Sequence, residues 1–269
     1  MPDYIDVSAR IVDPSDEYRL FDLTADPQAA LAIIADLGPR QGGGRCVLAP
    51  PTYYQLASGV EDLRCVNDFV LAQRKPGGAV CAAFGVAEPK YQDAAIAELA
   101  RIAALGARGV VWSARAQGVF ADDALMADLC HRAHDLGLVS MLRATPYSAN
   151  EALTRIWGLA RRCPDMPLIV SGALMSYDYA QAILSGQGGD NLLYDTAGWG
   201  LASALPHVVS ALGAGRVLFG TGGGSPPDEA AAGLRKALQG AGLPGGAVDD
   251  ILWRNAVRVL GLDVTEPAQ

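Results

Sequence analysis

The sequence predicts an α/β protein, a (β/α)8 TIM barrel formed as a single domain over residues 1–269 with extra C-terminal helices. Two observations carry this. Eight short apolar, β-prone runs alternate with amphipathic stretches from end to end, and the runs are nearly continuous in Val, Ile, Leu, Cys and Ala, as parallel strands buried on both faces require. The length of 269 residues suits one barrel, and no Ser/Pro/Gly-rich linker divides it. An open doubly wound sheet is the alternative that the same alternation allows.

The strand candidates in order are 4–9, 45–50, 79–86, 108–113, 138–144, 167–173, 191–196 and 216–221. Helices are predicted near 26–37, 62–75, 91–105, 122–136, 149–163, 177–185, 202–213 and 228–240, with a closing pair near 247–254 and 255–260. In the stretch 91–105, Ala95, Leu99, Ile102 and Leu105 recur about one turn apart and give a face to lie on a sheet. Asp26-Pro27 and Ser225-Pro226-Pro227-Asp228 place a capping oxygen beside a proline at a helix start. Gly106, Gly137 and Gly213 follow helix ends, where a left-handed residue is needed.

Apolar residues make up 51% of the chain, which excludes disorder as its main state. The formal charge is −8 with no basic cluster, so neither a nucleic-acid surface nor an anionic-membrane anchor is expected. No run of about 18 apolar residues and no signal-peptide flank is found, and a cytoplasmic protein is expected. Cys46, Cys65, Cys81, Cys130 and Cys163 are odd in number and form no CxxC pair, which suits free thiols in a reducing compartment.

Barrels keep their reactive groups at the C-terminal ends of the strands. Those positions hold Ser8 and Arg10 after the first strand, Arg143 after the fifth, Gly172 after the sixth and Gly222 after the eighth. The order YIDVSARIVD, VNDFVLAQRKPGGAVCAAFGVAEP, LGARGVVWS, DLGLVSMLRATP, MPLIVSGAL, LLYDTAG, GRVLFGTGGGSPP and ILWRNAVRVLGL resembles the amidohydrolase-related (amidohydrolase 2) family of TIM-barrel, metal-dependent hydrolases and decarboxylases. The resemblance spans essentially the whole chain and is most specific in RVLFGTGG and ILWRNAVRVLGL. It implies a divalent metal held by His-x-His after the first strand, a His after the fifth, a His after the sixth and an Asp after the eighth.

This sequence departs from that pattern at every ligand. Ser8 and Arg10, Arg143, Gly172 and Gly222 occupy the corresponding places. Serine is a poor ligand at neutral pH, glycine offers no side chain, and guanidinium has no lone pair and repels a dication. No catalytic divalent metal or other cofactor is therefore expected. His131 and His134 lie one turn apart on the fourth helix and His207 on the seventh, away from a barrel mouth. They are read as surface or helix-packing residues, with His131 and His134 as an adventitious metal pair the alternative.

Asp195 and Asp6 are the candidate acid–base residues. Asp195 ends the seventh strand near Tyr194 and Trp199 and reads either as a pocket acid or base or as a loop cap. Asp6 precedes Ser8 by two and should share its face, either orienting Arg10 or Arg143 or satisfying backbone groups. Glu88 after the third strand is a weaker candidate of the same kind.

Arg10 and Arg143, with Ser8 and the loop Gly222, Gly223 and Gly224 running into a proline-capped helix, form a candidate anion site for a small carboxylate or phosphate. A drifted, unused pocket is equally compatible with these residues, since the chain carries many arginines. The functional expectation is a pseudoenzyme, a non-catalytic subunit in a homo-oligomer or in a hetero-oligomer with a catalytically complete relative. The alternatives are a metal-independent hydrolase, lactonase or decarboxylase using Arg10 and Arg143, and a small-anion binding protein.

Overall fold

The computed structural model describes residues 2–263 apart from 14, 17, 38–42, 76, 146–147, 176–178 and 199–203. Eight strands form one sheet in sequence order, every pair parallel. They are β1 (Ile5–Arg10), β2 (Arg45–Ala49), β3 (Val80–Val86), β4 (Gly109–Trp112), β5 (Val139–Arg143), β6 (Leu168–Ser171), β7 (Leu192–Asp195) and β8 (Val217–Leu218). Helices α1 (Pro27–Leu37), α2 (Val60–Leu71), α3 (Asp93–Ala104), the short α4 (Ala114–Gln117), α5 (Ala124–Asp135), α6 (Leu153–Arg162), α7 (Tyr179–Gln187), α8 (Ala204–Leu212) and α9 (Pro227–Gly240) intervene or follow. The chain closes with α10 (Gly245–Asp249), a π-helical turn over Asp250–Arg254 and α11 (Asn255–Leu260). This is the predicted (β/α)8 barrel with its extra C-terminal helices. No described helix is long and apolar enough to cross a membrane.

Each strand sends a side chain into the barrel. Val7, Val47, Phe84, Val111, Met141, Ile169, Leu193 and Leu218 pack together there, and Ala256 and Leu260 of α11 join them. The Asn255 amide donates to the Ala214 and Val217 carbonyls, both at 2.8 Å, which seats α11 against the entry to β8 and plugs the barrel end opposite the mouth. Burying each such side chain contributes about 1.5–3 kcal/mol relative to exposure.

The last strand is shorter than the predicted 216–221 because its backbone turns to other partners. The Phe219 N–H donates to the Ile251 carbonyl in the π-helical turn at 2.9 Å, and the Phe219 carbonyl accepts the Val7 N–H at 3.0 Å. That second bond closes β8 onto β1. Asp6 reinforces it from a strand away: its Oδ1 accepts the Thr221 N–H at 3.0 Å, and the Thr221 hydroxyl donates to its Oδ2 at 2.5 Å.

A register shift between Asp6 and Ala9 marks a bulge in β1. Before it, Ile5 and Val7 face the barrel interior; after it, Ala9 and Ile11 belong to the layer beneath α1 and α2. The faces therefore exchange, and the expectation that Asp6 and Ser8 share a face is not met. Two strands away, Asn67 fixes the end of β3. Its amide donates to the Val86 carbonyl at 2.9 Å and to Glu98 at 2.7 Å, and its Oδ1 accepts the Val86 N–H at 2.8 Å. Arg101 holds Glu98 with two bonds of 2.8 Å, so the buried carboxylate is compensated.

Gly109 shows how closely the layers approach. A Cβ there would lie 2.4 Å from the Val139 carbonyl oxygen and 2.7 Å from the Phe84 ring, and neither can retreat. Gly109→Ala is expected to destabilise the fold by about 2–3 kcal/mol in urea denaturation, with the slope unchanged.

Candidate functional site at the barrel mouth

The exchange of faces at the β1 bulge decides what reaches the mouth. It turns Arg10 inward, where its side chain is only 7% exposed. Arg10 Nη1 donates to Thr52 Oγ1 at 3.4 Å and Nη2 to Ser171 Oγ at 3.5 Å, both at the long limit of a hydrogen bond. Arg143, two residues beyond the interior Met141 on β5, donates from Nη1 to the same Thr52 hydroxyl at 2.8 Å. The two guanidiniums thus converge on one acceptor. Among the described residues no carboxylate makes an ion pair with either. Burial, and then the Arg143 charge, pull the Arg10 pKa down to about 10, while Asp195, Glu151 and Asp6 oppose this from longer range. Arg10 stays charged at neutral pH with most of its donors unspent.

Asp195 ends β7 and is fully buried. Its Oδ1 accepts the Gly172 and Ala197 N–H groups, both at 3.1 Å, whereas Oδ2 has no hydrogen-bond partner. Desolvation raises its pKa; the hydroxyls of Ser171 and Ser8 and the two amides act in the opposite sense. Gly220 makes this close assembly feasible, because a Cβ there would stand 2.4 Å from Ser8 Oγ and 3.0 Å from Asp195 Oδ2. The structure therefore brings Ser8, Asp195, Arg10 and Arg143 to one mouth.

The other predicted residues are placed differently. Asp6 binds Ser8 N–H and Thr221 and makes no bond to Arg10 or Arg143, which matches the backbone-satisfying alternative. In the glycine loop, Gly222 N–H donates to Ser8 Oγ at 3.2 Å, Gly223 N–H to Thr221 Oγ1 at 3.3 Å and Gly224 N–H to the Thr221 carbonyl at 3.3 Å. All three amides are committed within the protein, and α9 opens with Asp228 and Glu229, so the loop offers an anion no free donor in this conformation. His131, His134 and His207 are exposed on α5 and α8, and His131 Nε2 lies 3.8 Å from Cys163 Sγ. Glu88 lies just past β3, 2% exposed, and accepts the Tyr54 hydroxyl at 3.0 Å. Trp199 lies outside the described residues.

Sequence reasoning missed Thr52, Ser171 and Thr221. Ser171 is the register partner of Arg143 and stands two residues past the interior Ile169, so counting alternation along β6 would have found it in place of Gly172. Thr52 lies in the loop after β2, where no periodicity points to it.

A divalent metal does not fit the residues gathered here. Two guanidiniums occupy the mouth, the nearby oxygens are hydroxyls and one half-bonded carboxylate, and among the described residues no group of three His, Cys, Asp or Glu is arranged to hold a metal ion.

Asp6 supplies a test of the closure it makes with Thr221 between β1 and β8. Burial outweighs its hydrogen bonds and raises its pKa from 3.8 to about 6. The folded chain binds this proton more tightly than the unfolded chain, so the Asp6 contribution to stability falls as pH rises from about 4 to about 6. Asp6→Asn lacks that component; between pH 4 and pH 7 its stability should gain on the wild type by on the order of 2–3 kcal/mol, read by urea denaturation at each pH.

The family model described as Amidohydrolase matches residues 64–262, which leaves β1 and β2 outside the match. No curated protein matches the chain. Among solved structures, 2,6-dihydroxybenzoate decarboxylase from Rhizobium is 15% identical with a TM-score of 0.66, over 97% of this chain and 99% of its own. The 5-carboxyvanillate decarboxylase from Sphingomonas paucimobilis is 16% identical with a TM-score of 0.65, over 97% and 99%. A dihydroxybenzoic acid decarboxylase from Polaromonas, which has manganese bound, is 15% identical with a TM-score of 0.65, over 97% of each chain. At such identities the likeness is one of fold. With the family's pattern running from α2 to the closing helix on an intact eight-stranded barrel, this chain belongs to the amidohydrolase family.

Proposed function

We propose that this barrel binds a small carboxylate between Arg10 and Arg143, and that the paired guanidiniums take the cationic role a metal ion plays in related barrels. One observation carries the reading: two arginines share the Thr52 hydroxyl with no counter-carboxylate in contact among the described residues, and the buried one makes bonds there of only 3.4 and 3.5 Å. A buried cation without a partner is costly, and a bidentate carboxylate satisfies both charge and donors.

A second reading adds turnover, as a metal-independent hydrolase or decarboxylase in which Asp195 moves the proton. It is favoured by the unpartnered Oδ2 and raised pKa of that residue, and agrees with the decarboxylases of like fold. Gripping a carboxylate with two arginines stabilises the reactant, so acceleration would have to come from Asp195. The non-catalytic subunit of a homo- or hetero-oligomer is the reading in which the mouth takes no ligand at all. We place the protein in the cytoplasm, where its unpaired cysteines would stay reduced.

Thermal shift with millimolar benzoate, propionate and inorganic phosphate tests the binding. A carboxylate at about 100 times its Kd should raise Tm by about 5 °C, and Arg143→Met should weaken its binding at least tenfold. No shift with any of the three anions would overturn the site and leave the non-catalytic subunit standing. Elemental analysis of the purified protein should find no stoichiometric zinc or manganese; either metal at one equivalent would overturn the metal-free part.

A further inference from the structure

Two neighbouring helices on the outside of the barrel present a surface unlike the rest of the molecule. Neither α7 nor α8 contains an Asp, Glu, Lys or Arg, whereas every other helix of eight or more residues carries at least one. Charged residues make up 19% of the chain, so two whole helices without any are a departure. The two pack side by side. Ala182, Ser185 and Gly186 of α7 and Leu205, Val208 and Val209 of α8 are buried beneath them. The outward stripes are Gln181, Leu184 and Gln187 on α7 and His207, Ser210 and Ala211 on α8, about a turn apart and all exposed. Leu184 is 69% exposed, more than any other large apolar side chain among the described residues. A lone exposed leucine needs no explanation; the absence of charge around it does, because depletion of charge marks the centre of an interface.

One end of this face does carry charge, and of both signs. Trp157 of α6 packs against the end of α7, since a Cβ on Gly188 would stand 2.9 Å from its Nε1, and Arg161 lies over the Trp157 ring at 5.6 Å. Among the described residues Arg161 makes no ion pair. Two residues past Gly188, the Asp190 carboxylate is fully exposed; its partner Arg216, 3.2 Å away, directs its other donors to the Gly186, Gly189 and Leu192 carbonyls.

We infer that the α7–α8 face docks a second copy of this chain, as a two-fold dimer with the paired helices parallel and both barrel mouths open to the same side. Charge selects this occupant. The chain carries a formal charge of −8, so copies repel through most of their surface, and the uncharged face lets two of them meet without setting like charges together. A two-fold axis along the helices places Leu184 against its own counterpart. The same axis brings the charged ends together, so that Arg161 of each copy faces Asp190 of the other. Two short helices make a small interface, so the dimer should be a weak one. The inference is independent of what the mouth binds.

Sedimentation velocity between about 1 and about 200 µM tests it. The wild type should sediment as a dimer in the upper part of that range. Leu184→Glu should weaken the dimer at least tenfold, whereas Leu136→Glu, at an exposed leucine ending α5, should leave it unchanged. Arg161→Glu and Asp190→Lys should each weaken it and together restore it, because the pair is then reversed across the axis. Circular dichroism of Leu184→Glu at the lowest concentration should match the wild type, which separates lost docking from lost folding. A wild type that stays monomeric throughout would overturn the inference, as would a dimer that survives Leu184→Glu. A double exchange that restores nothing would overturn the two-fold pairing and the inference with it.

Discussion

Closure of the barrel depends on the seam between β8 and β1, where the β-ladder contributes least. β8 is only two residues long, and the described backbone bond across the seam runs from Val7 to Phe219. The buried Asp6 carboxylate completes the closure by taking both the amide and the hydroxyl of Thr221. Everything at the mouth depends on this seam. Thr221 leads directly into Gly222, whose amide meets Ser8, and Gly220 lets Ser8 and Asp195 approach from opposite sides. The bulge in β1 allows one short strand to meet both demands, with Asp6 turned to the seam and Arg10 to the mouth.

The electrostatics of the mouth follow from that geometry. Two like charges, the Arg10 one buried and the Arg143 one half-buried, are brought to one hydroxyl, an arrangement that burial and Coulomb repulsion both oppose. It is tolerated because negative groups surround it without touching it. Asp195, Glu151 and Asp6 all favour the charged Arg10 from beyond ion-pair distance. Glu151 has its own partners, accepting the Arg115 N–H at 3.0 Å and the Thr145 hydroxyl at 2.5 Å. The carboxylates thus balance the field while the guanidinium donors stay unspent. A surface salt bridge such as Arg155–Asp122, 2.7 Å long, has no such consequence, because its charges are neutralised in place.

The barrel was legible in the sequence because both of its signals are local. Near-continuous runs such as Val80–Val86 and Leu168–Ser171 mark strands buried on two faces, and the amphipathic 91–105 stretch marks a helix that lies on them. Strand-end counting also found Arg143 and Asp195, two residues beyond the interior Met141 and Leu193, since side-chain direction alternates with a fixed period, and it found Ser8 and Arg10, which the bulge in β1 brings to the mouth. It failed where the period was broken. The β1 bulge separated Asp6 from Ser8, and one step of register put Ser171 at the position assigned to Gly172.

The amino-acid sequence by itself determined the eight-fold β/α rhythm, the family resemblance and the presence of arginines at the ends of the first and fifth strands. Tertiary structure decided what those residues do. Thr52 became the shared anchor of Arg10 and Arg143 across separations of 42 and 91 residues, and Thr221 became the partner of Asp6 across 215. The glycine loop, which reads as an anion cradle, spends its amides on Ser8 and Thr221. The physical reason is common to all three. A hydrogen bond is settled by which donor and acceptor closure brings within about 3 Å, and closing a barrel joins residues that no local pattern relates.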